Sequence, residues 1–430
     1  MTQDDTKIQL SNGLWVMLKE IHTAPLISHW IWYRVGSRNE STGETGISHW
    51  VEHMQFKGTP SFPAGVLDKA ISRDGGVWNA FTYLDWTTYF ETMPADKIEL
   101  CLQLEADRMC NSLFDPTEVE SERTVIISEL EGSENEPRVR LSRVVQRSSF
   151  HHHPYRNQII GSLDDLDTIT RDDLFAHYRQ YYVPNNALLS IAGDFHTDEM
   201  LALVRKYYEN IPMGDVPSYK PMSESFLESQ KILELRGPGE TMYLKIAYRS
   251  PAASHDDFFA YTVLDSLLTG PTNLNMFGGG ISNKTSRLYR ALVEKELAIS
   301  VNGGLQATID PFIDEIAITV HPNQNPEVVL RAVDQEIDYL QNTLVSEDEI
   351  ARAAKQARAL FVYGSENISN QAFWMGFSEM FDSYAWFQSY VDRIAAITPQ
   401  DVQRIAQTYF RPSSRVIGVY LPEPEKGKEE

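Results

Sequence analysis

"ITRDDLFAHYRQYYVPNNALLSI", residues 169–191, lines up without a gap on "ITPQDVQRIAQTYFRPSSRVIGV", residues 397–419. Ile169, Thr170, Asp173, Tyr181 and Pro184 recur as Ile397, Thr398, Asp401, Tyr409 and Pro412. Each copy reads as an N-capped amphipathic helix, a proline stop and then a strand. Weaker echoes surround it. "WIWYRVGS" (30–37) resembles "KIAYRSPA" (245–252), each a strand followed by an acidic-capped helix, and "EGSEN" (131–135) resembles "YGSEN" (363–367). An offset of roughly 215 to 232 residues is far too long for a solenoid repeat and predicts two copies of one domain.

The join is expected in "IPMGDVPSYKPMSESFLESQ", residues 211–230, which is rich in Pro, Ser and Gly and lacks periodicity. The predicted domains are therefore 1–210 and 231–430, with 211–230 as linker. Each half opens with strands, passes into helices, returns to strands and ends mostly helical. That order predicts an α+β fold in each half, a mostly antiparallel sheet with helices packed on one face.

The chain has 430 residues, 42% of them hydrophobic and 11% aromatic, which is too long for one core and supplies ample material for two. Its net charge of −22 argues against nucleic-acid binding, which wants a basic surface. The charge serves solubility or an acidic cavity that attracts basic peptides. No apolar run approaches the roughly 20 residues that span a bilayer. The polar, acidic start "MTQDDTKIQLSNG" is neither a secretory signal nor a transit peptide, so a cytoplasmic location is expected. Cys101 and Cys110 lie in one helix-like stretch; nine residues of helix rise about 13 Å, too far for a disulfide.

A second stretch carries chemistry. "GISHWVEHMQFKGT", residues 46–59, places His49 and His53 four apart with Glu52 beside the second. On a helix, i, i+3 and i+4 share a face, so two imidazoles can reach one ion with a carboxylate alongside. "TGETGISHW" is expected to cap that helix. A catalytic zinc needs a third protein ligand and an open position for water. On these residues alone, two hydrogen-bonded surface histidines remain the other reading.

The stretch resembles the signature of the inverzincin peptidases, the family of pitrilysin, insulin-degrading enzyme and the mitochondrial processing peptidase, in its processing-peptidase-like branch. "ESERTVIISELEG" (120–132) is similar to the family's downstream glutamate helix, and Glu129 follows His53 by 76 positions. "GGVWNAFTYLDWTTYF" (75–90) resembles its Gly-Gly-x-x-Asn-Ala-x-Thr edge strand, and the likeness runs through nearly the whole chain. The resemblance implies one Zn2+ per chain bound by His49, His53 and Glu129, in a clamshell of two homologous domains. It implies Glu52 as general base on the zinc-bound water and Glu122 as the residue orienting a ligand. It also implies Asn79, Ala80 and Phe81 on an edge strand that receives an extended peptide substrate as an added strand. The second half does not repeat the ligands. Tyr261, Leu264 and Asp265 stand roughly where His49, Glu52 and His53 do, and Ala359 or Phe361 where Glu129 does.

Active members carry an Arg and a Tyr in the second half that hold the substrate main chain and the oxyanion. In "SRLYRALVEKELAISV" (286–301), Val293 and Ile299 stand at those positions, with Arg287, Tyr289 and Arg290 out of register. The reading preferred is the zinc-bearing subunit of a bacterial-type heterodimer, whose homologous partner supplies Arg and Tyr. The function expected is a zinc-dependent endopeptidase that hydrolyses unfolded peptides inside a chamber. The rival is a non-catalytic scaffold subunit.

Other signals read as structure. His151–His153 of "HHHPYR" is expected to be a structural loop, since consecutive side chains diverge. "FGGGIS" (277–282) lacks the Lys-Ser/Thr ending of a phosphate loop and is expected instead to be a flexible segment near the substrate. "HWIWYR" (29–34) and "YAWFQSYV" (384–391) read as core, and the tail "EPEKGKEE" as a disordered end.

Overall fold

A computed structural model of the chain describes residues 5–218, 220–222 and 224–423. The first four residues and all of the predicted tail after Glu423 lie outside the described residues. The helices, in chain order, begin with α1 (Ile47–Met54), α2 (Val66–Arg73), α3 (Ile98–Asn111), α4 (Pro116–Glu134) and α5 (Pro137–Ser149). They continue with α6 (Leu163–Thr168), α7 (Arg171–Tyr181), α8 (Thr197–Tyr208), α9 (Asp257–Leu268) and α10 (Pro326–Asn342). The last four are α11 (Glu347–Tyr363), α12 (Ile368–Phe381), α13 (Tyr384–Ala395) and α14 (Pro399–Tyr409).

The chain forms two compact units, each with a mixed sheet and helices. The first holds residues up to Glu131, Asn157–Lys220 and Ser365–Phe387; the second holds Gly132–Arg156, Pro221–Gly364 and the chain from Gln388 onward. One crossing, between Lys220 and Pro221, falls in the segment 211–230. Two more fall at the echoed Gly-Ser-Glu-Asn, residues 132–135 and 364–367, and the remaining two between Arg156 and Asn157 and between Phe387 and Gln388. Relative to the contiguous blocks 1–210 and 231–430, the two units thus exchange one helix each: α5 packs on the second sheet and α12 on the first.

The first sheet contains β1 (Asp5–Gln9), β2 (Trp15–Glu20), β3 (Leu26–Tyr33), β4 (Val77–Thr82), β5 (Thr87–Pro94) and β6 (Ala187–Gly193). Its order is β1-β2-β6-β3-β5-β4, with β2 and β6 parallel and every other pair antiparallel. β3 shows why these residues choose a strand. It is rich in β-branched and aromatic side chains, which suit a pleated surface covered on both sides. Ile27, Ile31 and Tyr33 join Val16, Leu18 and Ile191 in a core shared with Trp50 of α1, Leu102 of α3, Tyr178 of α7 and Val204 of α8. Trp30 and Trp32 alternate to the other face, where Phe373 of α12 lies 5.5 Å from each ring. Gly376 of α12 is needed there, because a Cβ would sit 1.9 Å from Trp32 Nε1. The helices packed on one face are as the sequence predicts; α12 adds a cover on the opposite face.

The second sheet contains β7 (Lys231–Pro238), β8 (Tyr243–Arg249), β9 (Ala298–Asn302), β10 (Ile313–Val320) and β11 (Val416–Glu423). Its order is β7-β11-β8-β10-β9, again with a single parallel pair, β7 with β11. The repeat that predicted this doubling has the expected local structure. Thr170 accepts from the Asp173 amide and Thr398 from the Asp401 amide, each in a reciprocal capping box worth about 1 kcal/mol. Pro184 and Pro412 then stop each helix and lead into β6 and β11. Cys101 and Cys110 are both free on α3.

Candidate metal centre

α1 starts at Gly46, whose φ of 92° a side chain would strain. The cap does not come from residues 42–45, as the sequence suggests. Glu40 supplies it, with one carboxylate oxygen accepting from the Gly46 amide at 2.9 Å and the other from the Ser48 amide at 3.0 Å. Thr45 is engaged elsewhere, bonding Asp165 through its hydroxyl and accepting from the Ser162 amide. Glu40 is enclosed, and burial pushes its carboxyl up to about 8.

Trp50, Val51 and Met54 turn into the core, which leaves His49 and His53 together on the remaining face. Their Nε2 atoms are 3.2 Å apart. α4 lies alongside, tied to this region by Arg123, which sits over the Trp50 ring at 4.7 Å and donates to the Ile169 carbonyl at 2.9 Å. Glu122 and Glu129, two turns apart on α4, both face the histidines. Glu122 accepts from His53 Nδ1 at 2.7 Å, and its second oxygen takes Lys57 Nζ at 2.5 Å. The bond fixes the His53 tautomer and leaves Nε2 facing His49. Glu129 Oε2 is 4.0 Å from His49 Nε2 and 3.9 Å from His53 Nε2.

These three ligand atoms fit a metal. A triangle with sides of 3.2, 3.9 and 4.0 Å has a circumradius of about 2.2 Å, close to the bonds zinc makes with imidazole nitrogen and carboxylate oxygen. The electrostatics agree. Burial and the neighbouring His53 hold His49 at about 3, so its ring is neutral and can offer a lone pair. At His53, burial lowers the pKa, but the Glu122 bond and the carboxylates of Glu52, Glu122 and Glu129 outweigh it and hold the ring above its usual value; a metal would displace that proton, drawn by the same carboxylates.

Glu52 is 8% exposed. Thr82 donates its hydroxyl to Glu52 Oε2 at 3.0 Å. Burial raises the Glu52 carboxyl above the usual range, partly opposed by His53 and Thr82. Thr82 is the last residue of β4, and β4 is the edge of its sheet. Asn79, Ala80 and Phe81 therefore lie on a strand paired on one side only among the described residues, leading directly to the residue that holds Glu52. Asn79 is exposed, Ala80 buried and Phe81 half-buried.

The second unit differs. Tyr261, Leu264 and Asp265 sit on α9, each at most 1% exposed. Asp265 receives hydroxyl bonds from Thr269 at 2.8 Å and Thr272 at 2.7 Å. Ala359 and Phe361 lie on α11, and Phe361 stacks on Tyr390. Val293 is half-buried and Ile299 is 54% exposed on β9, an edge strand. Arg287 is held by Glu336 at 2.8 Å and Glu349 at 2.7 Å, and Arg290 lies 3.8 Å from Glu349. The triple histidine forms a loop: its three backbone amides converge on the Glu224 carboxylate, and His153 Nε2 bonds Asp310 at 3.1 Å.

Sequence reading missed Glu40, Lys57 and Thr82. Lys57 stands one helical turn beyond His53 in the same quoted stretch, and Thr82 closes the edge-strand pattern. Glu40 offers no such signal.

Residues 15–163 match the family model described as "Insulinase (Peptidase family M16)", and 168–357 match that of the "Peptidase M16 inactive domain". The chain is 27% identical over 418 residues to an uncharacterized zinc protease of Streptomyces coelicolor, covering 95% of this chain and 88% of the relative. It is 28% identical over 417 residues to zinc protease PqqE of Helicobacter pylori, covering 94% and 90%. The crystal structure of a protease from Helicobacter pylori superposes with a TM-score of 0.89 at 26% identity, covering 97% of this chain and 99% of the other. A peptidase M16 inactive domain from Pseudomonas fluorescens shares the fold, with a TM-score of 0.87 at 17% identity over 98% of both chains.

Proposed function

Starting from the fact that this chain belongs to peptidase family M16, the insulinase family, we propose that it is a zinc-dependent endopeptidase acting on unfolded peptides. The observation that carries this reading is the convergence of His49 Nε2, His53 Nε2 and Glu129 Oε2 beside the buried Glu52. A zinc ion in that position would supply Lewis acidity toward a peptide carbonyl and make water acidic enough to ionise near neutral pH. Glu52, aligned by Thr82, takes the proton from the attacking water and returns it to the departing amine nitrogen. Glu122 orients His53, and Lys57 keeps Glu122 ionised. The free edge of β4 pairs with the extended substrate backbone through Asn79–Phe81 and delivers it toward Glu52. Main-chain pairing demands an unfolded segment and little sequence.

We further propose that a homologous partner supplies the Arg and Tyr that hold the substrate and its oxyanion, because neither Val293 nor Ile299 can donate a hydrogen bond. Arg287 does not substitute, being engaged by two glutamates. Those same two apolar residues favour the second reading, a non-catalytic scaffold subunit. The test is peptide digestion by the chain alone, by the chain with its co-purified partner, and by the mixture with chelator. Chelator-sensitive cleavage that needs both chains, and that Glu52→Gln abolishes, supports the peptidase. Undiminished cleavage with Glu52→Gln in the mixture puts the chemistry elsewhere.

A further inference from the structure

At the other end of the first sheet, two distant turns bring a second set of ligands together. β2 ends at Glu20, and His22 follows in the turn to β3. β6 ends at Gly193, and Asp194 and His196 follow in the connection to α8. The parallel pairing of β2 with β6 sets Glu20 opposite Gly193. Backbone bonds then pin both turns: the Ile21 amide donates to the Gly193 carbonyl at 2.7 Å, and the Asp194 amide to the Leu26 carbonyl at 3.0 Å.

On that frame, one ring nitrogen of each histidine and a carboxylate oxygen of Glu20 lie within 4.8 Å of one another. His22 Nε2 faces Glu20 Oε2 at 3.2 Å, while its Nδ1 bonds Asp194 Oδ1 at 2.7 Å. The Glu20 oxygen on the far side is held by Thr197, whose amide donates at 2.7 Å and hydroxyl at 2.5 Å. Among the described residues the His196 ring nitrogens have no hydrogen-bond partner. The pattern repeats the logic of the first centre: two imidazoles and a carboxylate converge, with an outer carboxylate fixing one imidazole.

We propose that Glu20, His22 and His196 form a second binding site for a zinc-class divalent cation, with Asp194 orienting His22. Two imidazole nitrogens among three donors select zinc-like ions over Mg2+ or Ca2+, which prefer oxygen. The site clamps the β2–β3 turn to the β6–α8 connection, chain segments 172 residues apart. It is separate from the first centre. Thr82 lies at the end of the sheet where β5 begins, and His22 at the end where it finishes, so about seven residues of strand, on the order of 20 Å, separate them. The zinc capacity expected of the chain rises from one ion to two.

The test is a zinc titration of the full chain after chelator stripping, followed by calorimetry and metal analysis. In a His49→Ala/His53→Ala background, one equivalent per chain is expected to bind. Adding His22→Gln and His196→Gln should weaken it at least 100-fold, and Asp194→Asn about 10–100-fold. His151→Ala/His152→Ala, which alters the exposed histidines of the other unit, should leave it unchanged. No equivalent in the starting background, or one that survives loss of His22 and His196, overturns the proposal. Should the starting background fail to fold, zinc-edge diffraction from the unaltered chain decides: an ion bonded to His22 and His196 upholds the site, and its absence from crystals soaked in zinc refutes it.

Discussion

Helices α1 and α9 stand at roughly matching positions of the sequence repeat, yet their polar groups are treated in opposite ways. On α9, Asp265 takes two threonine hydroxyls within its own unit and lies fully enclosed with Tyr261 and Leu264. Both Asp265 oxygens are thereby occupied. On α1, His53 spends Nδ1 on Glu122 but turns Nε2 toward His49 and Glu129, and Glu52 accepts from Thr82 on one oxygen. Donor atoms remain at a shared point. The difference teaches that a repeated scaffold decides where polar side chains stand, whereas their mutual satisfaction decides whether the place is a site.

The largest effects come from making α1 resemble α9. His53→Ala is expected to abolish zinc binding at the first centre, read by metal analysis, and with it the proposed peptidase activity, read by peptide cleavage. Glu52→Gln should keep the zinc and lower kcat by about 10²–10⁴-fold, the usual contribution of a positioned base. Those two results separate holding the ion from using it. A smaller effect is expected at the residue behind the ligand. Glu122→Gln loses the charge that orients His53 and should weaken zinc by about 10–100-fold, measured by competition with a chelating dye.

Smaller still is the contribution of the cap. The folded-state pKa of Glu40 is raised to about 8, above the unfolded value of about 4.3. Its proton therefore favours folding: the contribution is complete below about pH 4 and is lost as pH rises through 8. Glu40→Gln should flatten that part of the stability-against-pH curve, followed by denaturant unfolding between pH 5 and 9. The smallest effect is expected from the other half. Asp265→Asn shares no partner with the metal ligands and should change their zinc affinity by less than about twofold, whatever it does to stability.

How far the sequence reached depends on the range of each contact. His49, Glu52 and His53 are legible because one helix sets their spacing, whereas Glu122 and Glu129 are reached only through the family resemblance, two turns of α4 then putting both on one face. The capping boxes at Thr170 and Thr398 are legible for the same local reason. Glu40 is not, because it caps α1 from six and eight positions back across a left-handed glycine. Thr82 needs the path of β4 past α1, and the cluster at Glu20 and His22 needs the β2–β6 pairing, neither of which periodicity encodes. The echoed Gly-Ser-Glu-Asn reads in the sequence only as part of the repeat; that the chain changes units there is not encoded locally, and helical periodicity says only that α5 and α12 have apolar faces, not which sheet each covers.

Zinc-edge anomalous diffraction from crystals of the zinc-loaded chain tests the first centre most directly. The expected result is a peak about 2.0–2.2 Å from His49 Nε2, His53 Nε2 and a Glu129 carboxylate oxygen, with space beside Glu52 for solvent. A zinc-loaded crystal with no peak there, or one in which Glu129 stays out of bonding reach of an ion held by the two histidines, would contradict it.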